Sequence, residues 1–259
     1  MLAAFFCPLS GCGTLPSGGN WGADASLTPG STRLSRVARY NALQPATWAP
    51  MLAATIIYAG GLDERMSEWT LENTPVFGSV DSANRASDEL RDALVAAAFV
   101  TAVATPSGET PGELASAKAK GLLVEAAAIR ATSLTTGAIK RASGRTRPND
   151  GNDRSFPSGH TSRAAAAARL SERNLRAMDL RPSMHIVANS LLVGGTAGTA
   201  WARVEAGVHY PSDVLAGAAL GNFIAAFIHD GFLGLPLDYA DVHRDRRYAS
   251  TTITLGWRF

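Results

Sequence analysis

The stretch PSGHTSRAAAAA, residues 157–168, decides how this chain folds. Proline, serine and glycine favour a tight turn, and the alanine run that follows favours a helix. The stretch therefore predicts a helix that begins near Ser158 and continues through residues 164–168. At the start of such a helix, a hydroxyl and free backbone amides are directed towards an anion.

Similar helix signals lie on both sides of this stretch. Proline, which suits the first turn of a helix, occurs at positions 111, 182 and 211, and Thr110 and Glu113 have capping-box spacing. Besides the helix near Ser158, helices are predicted over residues 31–44, 48–59, 82–105, 111–140, 182–204 and 211–229. The sequence shows no internal repeat and no domain-splitting linker. It therefore predicts an all-α fold, a single helical bundle over residues 31–240.

The composition is that of a globular protein. Hydrophobic residues make up 46% of the 259 residues and charged residues 18%, and the net charge of +2 is too small for a general nucleic-acid binder. The two cysteines, Cys7 and Cys12, both lie in the first dozen residues, so the body has no disulfide and no cysteine-based metal site. His185, His229 and His243 stand apart from any second ligand at a recognised spacing.

The N terminus resembles the leader of a bacterial lipoprotein. An apolar stretch ends at Leu9-Ser10-Gly11-Cys12, which is similar to a lipobox, although no Lys or Arg precedes it. The resemblance implies a leader over residues 1–12, a lipid on Cys12 and a flexible tether over residues 13–30. Gly13 replaces the aspartate that retains such proteins at the inner membrane, which favours the outer membrane of a Gram-negative cell. The alternative is a frayed terminus.

The C-terminal tail, residues 241–259, has strand periodicity at its end. Ile253, Leu255, Trp257 and Phe259 alternate with more polar residues. Too little chain remains for a barrel, so the pattern predicts one short edge strand packed on the helical domain.

Three apolar runs raise the question of membrane spans. Residues 93–105, 187–201 and 214–228 fall short of the roughly 20 apolar residues that a spanning helix needs, and they are rich in Ala, Gly and Thr. They fit helices buried against one another, which predicts a soluble helical body held to a membrane by a lipid at Cys12.

Three segments carry residues suited to chemistry. Lys140 is followed after six residues by Arg147-Pro148, the second segment is Pro157-Ser158-Gly159-His160, and in the third Arg203, His209 and Asp213 are separated by five and three residues. Each alone has an ordinary explanation, such as a solvated basic loop, a turn, or an acidic residue in a first helical turn.

In this order, the three segments resemble the signature of the type 2 phosphatidic-acid phosphatase (PAP2) superfamily. That family also includes bacterial acid phosphatases and vanadium haloperoxidases, and its helical bundle agrees with the predicted fold. The resemblance covers Lys140 to Asp213. The third motif of the family often begins Ser-Arg, whereas this chain has Ala202-Arg203, so one hydrogen bond to phosphate or one helix contact is expected to be missing.

The resemblance assigns the catalytic roles. It implies that His209 attacks phosphorus and forms a phosphohistidine, and that Asp213, one helical turn away, holds the proton on the other ring nitrogen. His160 would donate a proton to the departing alkoxide and later activate water. Such a site needs no metal and no cofactor.

The same resemblance assigns the phosphate-binding residues. Positively charged side chains and the start of a helix suit a group that carries charge on several oxygens. The residues implied are Lys140, Arg147, Ser158, Gly159 and Arg203.

The expected function is hydrolysis of a phosphate monoester or diphosphate in the bacterial envelope, facing the periplasm. A lipid phosphate is the favoured substrate, because a lipid at Cys12 would hold the protein at a membrane. The alternatives are an acid phosphatase for soluble phosphomonoesters, a vanadium haloperoxidase, and a catalytically silent envelope lipoprotein. The expected partners are a phosphorylated substrate and a membrane, with no nucleic acid.

Overall fold

The computed structural model describes residues 11–235, which form eight helices and no β-strand. The helices are α1 (Ser31–Ala42), α2 (Pro45–Ala59), α3 (Leu62–Asn73), α4 (Val80–Ala104), α5 (Pro111–Ser143), α6 (Gly159–Ala177), α7 (Pro182–Glu205) and α8 (Pro211–Phe232). The predicted all-α bundle is confirmed. Most of the predicted leader and the C-terminal strand lie outside the described residues.

The local signals at the helix ends predict most of these bounds well. The capping box at Thr110 and Glu113 is present, and Pro111 occupies the first turn of α5. The exception is α3, whose sequence LDERMSEWTLEN is short and polar and lacks a proline start. Its existence depends on the contacts that it makes with α2, α7 and α8.

Helix α6 lies at the centre of the bundle and packs against α4, α5, α7 and α8. All five alanines of residues 164–168 are buried. Because alanine is small, the neighbouring helices can approach α6 closely on every side. The alanine run therefore decides the fold by making α6 the common core of the bundle.

Two glycines let α8 approach α6 most closely. A Cβ atom added at Gly217 would lie 2.6 Å from the carbonyl oxygen of Ser158, and one added at Gly221 would lie 2.1 Å from that of Ser162. Both atoms belong to the α6 backbone or its cap, so a side chain would force the helices apart. This contact brings the start of α8 against the start of α6.

We expect Gly221→Ala to lower the free energy of unfolding by about 1–3 kcal/mol, because the added methyl overpacks the α6–α8 contact. The matched control is Gly194→Ala in α7, where a Cβ atom meets nothing within 4 Å. Alanine there should be neutral or stabilise by up to about 1 kcal/mol. Urea denaturation of both variants checks this, and a Gly221→Ala protein as stable as the parent would contradict the packing argument.

The segment predicted as a flexible tether is instead packed on the bundle over its first half. Leu15 and Trp21 are 2% and 0% exposed, and the Trp21 ring occupies the space beside Gly121 of α5. The amide of Gly13 donates a 2.9 Å hydrogen bond to the carbonyl of Gly108. The prediction of a flexible tether over residues 13–30 is therefore wrong for this part. The sequence pattern did not indicate that the Trp21 ring packs in the space beside Gly121.

Two helices, α5 and α8, are long and apolar enough to cross a membrane by length and composition. Helix α8 is mostly buried inside the bundle, as the core helix of a soluble protein would be, whereas most of the apolar window of α5 is not. The sequence analysis considered the apolar run within α8 but not α5.

Candidate active site

The three motif segments meet at one end of the bundle. Lys140 lies near the end of α5 and Arg203 near the end of α7, while α6 and α8 both begin there. The amide of Ser158 donates a 2.9 Å hydrogen bond to the carbonyl of Asp213, which joins the second and third segments directly. The predicted catalytic and phosphate-binding residues are thus brought together, and we call this group the cage. It comprises Lys140, Arg147, Ser158, Gly159, His160, Arg203, His209 and Asp213.

The cations of the cage lower one another's pKa. Burial, followed by the charges of Arg147 and Arg203, lowers the pKa of Lys140 to about 8. Burial and the charge of Arg147 lower the pKa of Arg203 to about 10. Like charges this close are held at a cost unless an anion lies between them.

Hydrogen bonds hold two of these cations in place. The ammonium of Lys140 donates to the carbonyls of Arg154 and Ser155, at 2.6 and 3.2 Å. Arg203 is 7% exposed, and its Nη1 donates to Asn84 and Ser87 of α4, at 2.9 and 3.1 Å. The position and direction of both side chains are therefore fixed by the fold.

Several buried polar atoms of the cage have no hydrogen-bond partner within the described residues. They include Nε of Arg147, Nε of Arg203 and Nδ1 of His209. A buried donor without a partner costs about 1–3 kcal/mol, so a group of them in one place calls for an explanation. A ligand with several acceptor oxygens would satisfy the two arginine donors.

His209 is 2% exposed and faces Asp213. Its Nδ1 lies 3.7 Å from Oδ2 of Asp213, which is longer than a hydrogen bond but within reach of one. Burial lowers the pKa of His209 to about 4, despite the opposing effect of Asp213. The imidazole is therefore neutral at pH 7, as attack through a ring nitrogen requires.

An arginine that the sequence analysis did not single out holds Asp213. Nη1 of Arg145 lies 2.8 Å from Oδ1 of Asp213, and Nη2 lies 2.8 Å from Oδ2 of Asp63 in α3. The guanidinium group also packs against the rings of Tyr58 and Tyr210, at 5.3 and 4.1 Å from their centroids. This network ties α2 and α3 to the start of α8. Burial raises the pKa of Asp213, but His209, the hydrogen bond from Ser155 and the charge of Arg145 together lower it below its ordinary value.

We expect Arg145→Met to lower the free energy of unfolding by about 3 kcal/mol, because it leaves two buried carboxylates without their shared cation. The matched control is Arg141→Met, an exposed arginine near the same end of α5. Guanidinium denaturation of the two variants measures the difference. Equal stability of the two variants would show that Arg145 does not hold this network together.

His160 is paired with a carboxylate from α4. Its Nε2 lies 2.8 Å from Oδ1 of Asp88, which also accepts from Arg91. Burial, together with the charge of Arg203, lowers the pKa of His160 to about 4, and the hydrogen bond from His160 lowers that of Asp88. The sequence analysis missed Asp88. The signal was a polar stripe along α4 at helical spacing, comprising Asn84, Ser87, Asp88 and Arg91.

The start of α6 has the geometry expected of an anion site. The Ser158 hydroxyl oxygen accepts from the amide and hydroxyl of Thr161, at 3.5 and 3.0 Å, which leaves its own hydrogen for another acceptor. Because the Ser158 amide is bound to Asp213, the amides directed at an anion are those of Gly159 and His160. A Cβ atom at Gly159 would meet the Lys140 side chain at an ordinary 3.6 Å, so packing within the protein does not require glycine there.

Comparison with known proteins agrees with this geometry. The model of the PAP2 superfamily matches residues 121–233, which include all three motif segments. The fold is similar to the crystal structure of the first transmembrane PAP2 type phosphatidylglycerolphosphate phosphatase from Bacillus subtilis, with 17% sequence identity and a TM-score of 0.51 over 76% of this chain and 94% of that chain. A search of curated proteins found no match. The comparisons therefore show a likeness to the PAP2 superfamily over residues 121–233 and an all-α fold shared with the solved structure.

Proposed function

We propose that this protein is a phosphatase that hydrolyses a phosphate monoester or diphosphate through a phosphohistidine on His209. The observation that carries the proposal is the pair of buried, unpartnered Nε–H donors of Arg147 and Arg203 at the same end of the bundle as the buried His209, whose Nδ1 faces Asp213 and leaves its other ring nitrogen for attack. Two of these groups bind oxygens and the third is a nucleophile, which is the combination that phosphoryl transfer needs.

The cage is suited to a transferring phosphoryl group. Arg147 and Arg203 offer planar forks of donors that match two oxygens at once, and Lys140 adds a point charge. The amides at the start of α6 complete the set. Because the side chains of Lys140 and Arg203 are already held by hydrogen bonds, little reorganisation is needed when charge develops in the transition state.

In the first step, a ring nitrogen of His209 attacks phosphorus, an N–P bond forms, and the ester P–O bond breaks. The leaving oxygen takes a proton from His160. A bound phosphate dianion favours the protonated imidazole, so substrate binding raises the pKa of His160 from about 4 in the empty site. In the second step, His160 takes a proton from water, the water oxygen bonds to phosphorus, and the N–P bond breaks to release phosphate.

We further propose that the substrate is a lipid phosphate and that the protein associates with a membrane. Large apolar side chains are exposed on three helices, α2, α4 and α7, and a membrane would cover exposed apolar surface of this kind. They include Trp48, Met51, Leu52, Ile56, Phe99, Val100, Met184, Ile186, Val187, Leu191 and Val193. Three further parts of this proposal rest on the N-terminal sequence alone. They are a lipid on Cys12, a location on the periplasmic side of the envelope, and attachment to the outer membrane.

The test is a phosphate-release panel on the purified protein. The substrates are phosphatidate, a polyprenyl diphosphate and p-nitrophenyl phosphate, each with and without EDTA and with added vanadate. We expect the activity to survive EDTA, because cationic side chains perform the role of a metal. We also expect vanadate to inhibit the activity, because vanadate mimics pentacoordinate phosphorus.

Two outcomes would overturn this proposal. Activity that is lost on chelation and restored by a divalent ion would mean that a metal, not the side chains of the cage, activates the phosphate. Bromide oxidation by peroxide in the presence of vanadate, without any phosphate release, would identify a haloperoxidase instead.

A further inference from the structure

We propose that Ser155 is a positioning residue for the attack by His209, and this rests on the proposed phosphohistidine mechanism. The Ser155 hydroxyl binds the oxygen of Asp213 that faces the imidazole, and it thereby keeps the ring directed at the phosphate. Ser155 lies outside the three motif segments, two residues before Pro157. It is fully buried, and its only route to the reaction is through Asp213.

The backbone of Ser155 is held independently of its side chain. Its amide donates a 2.9 Å hydrogen bond to the carbonyl of Arg145, and its carbonyl accepts a 3.2 Å hydrogen bond from the ammonium of Lys140. Because neither contact uses the hydroxyl, both can persist when the hydroxyl is removed. A substitution to alanine at this position therefore tests the hydroxyl alone.

The two oxygens of Asp213 accept from different donors. Oδ1 accepts from Nη1 of Arg145 at 2.8 Å. Oδ2 accepts from the Ser155 hydroxyl at 2.5 Å and from the Tyr210 amide at 2.9 Å, and these two donors fill the roughly two lone-pair sites of one carboxylate oxygen. Nδ1 of His209 lies 3.7 Å from the same oxygen, beyond hydrogen-bond distance. Ser155 thus occupies the place on Oδ2 that His209 would otherwise take.

This spacing favours attack on the phosphate. Without the hydroxyl, a lone-pair site on Oδ2 is open, and Nδ1–H of His209 can close from 3.7 Å to about 2.9 Å from Asp213. Because attack uses the other ring nitrogen, a movement of the ring towards Asp213 draws the attacking nitrogen away from phosphorus. A misplacement of about 1 Å can cost about 10²-fold in rate. The Ser155 hydroxyl therefore keeps the nucleophile within reach of its target.

The same hydrogen bond gives the pH effect a definite sign. The bond from Ser155 lowers the pKa of Asp213, and Asp213 raises the pKa of His209. Loss of the hydroxyl makes Asp213 a stronger acceptor, so the pKa of His209 should rise from about 4. The other charged groups that act on this pair are Lys140 of α5, Arg145 and Arg147 of the loop after α5, and Arg203 of α7.

His160 provides an internal reference for this effect. The charged groups that act on its pKa are Arg203, Asp88 and Arg91, and Ser155 is not in contact with any of them. Loss of the Ser155 hydroxyl should therefore change the pKa of one imidazole of the cage and not of the other. Loss of the Arg203 charge, in contrast, acts on both imidazoles.

The test compares Ser155→Ala with Ser171→Ala in the full chain, with p-nitrophenyl phosphate as substrate. Ser171 is the matched control, because it is also fully buried and its hydroxyl donates a 3.0 Å hydrogen bond to the carbonyl of Ala167, further along α6. The measurements are kcat as a function of pH and the inhibition constant of inorganic phosphate. The inhibition constant reports whether the cations of the cage are still in place.

We expect Ser155→Ala to lower kcat by about 10–100-fold and to leave the inhibition constant of phosphate within about twofold of the wild type. The rise in rate at low pH, where His209 becomes neutral, should move to higher pH. The fall at high pH, where His160 loses its proton, should stay in place. Ser171→Ala should match the wild type in every measurement. The positions of the rise and the fall do not depend on the folded fraction of a preparation, so they remain informative if a variant folds less well.

Two results would overturn the positioning role and leave the phosphatase function intact. One is a wild-type kcat and pH profile in Ser155→Ala. The other is a fall in kcat that is matched by weaker inhibition by phosphate, without any change in the pH profile, because that would assign Ser155 to the fold alone. No hydrolysis by the wild type, or hydrolysis without a phosphohistidine, would overturn the proposed mechanism and the role of Ser155 with it.

Discussion

Replacing His209 with alanine is expected to reduce kcat for phosphate-ester hydrolysis by a factor of about 10⁶, as the loss of a covalent nucleophile does in other enzymes. The side chain is 2% exposed in the cage, and no other imidazole faces Asp213 within the described residues. Water could attack the bound ester directly in the variant, so the remaining rate reports what the cations of the cage achieve alone.

Two measurements separate loss of the nucleophile from loss of the fold. His185→Ala, at the opposite end of α7, is the control and should retain normal turnover. Rapid acid-free quenching of a reaction with ³²P-labelled substrate should trap a phosphohistidine in the wild type and in His185→Ala but not in His209→Ala. Label on the protein in His209→Ala, or turnover close to that of the wild type, would refute the assignment.

Arg203→Ala should reduce kcat by about 10²–10³, the loss seen when one transition-state donor is removed. Its guanidinium group is oriented by Asn84 and Ser87, and its Nε has no partner among the described residues. Arg203→Lys should restore only part of the rate, because an ammonium cannot offer two parallel donors. Arg181→Ala is the control, since Arg181 is exposed at the far end of α7.

The pH profile provides a second readout for Arg203. Its charge lowers the pKa of both His160 and His209, so its removal should raise both values. The fall in rate at high pH, where His160 loses its proton, should then move to higher pH. The rise in rate at low pH, where His209 becomes neutral, should move to higher pH as well. A uniform loss of rate without this shift would mean that Arg203 acts too far from the imidazoles to belong to the cage.

Much of the fold could be predicted because its signals are local. The prolines at the starts of α5, α7 and α8 and the capping box of α5 are sequence features that act within one helical turn. Helix α3 lacks such features and is fixed by distant contacts, for example the hydrogen bond from the amide of Ser212 to Asp63. Burial of Trp21 likewise depends on Gly121, a hundred residues away, and no local pattern indicates it.

The same difference between local signals and distant contacts applies to the residues of the site. Residues within the three motifs could be named because the motifs, taken in order, resemble the PAP2 signature, and the structure brings them to one end of the bundle. Arg145, Asp63 and Asp88 could not, because each acts through a partner on another helix and the spacing between partners in the chain carries no information about contact. The polar residues along one side of α4 indicate that this side of the helix makes polar contacts, but they do not indicate which residues it contacts.

The contacts of the N-terminal segment fix the position of Cys12 on the bundle. A Cβ atom added at Gly11 would lie 2.5 Å from the carbonyl oxygen of Val103 in α4 and 2.9 Å from the Lys118 side chain in α5, so the backbone next to Cys12 lies against both helices, at the end of the bundle away from the cage. If Cys12 carries the proposed acyl group, the bilayer that the group enters would contact this end of the bundle.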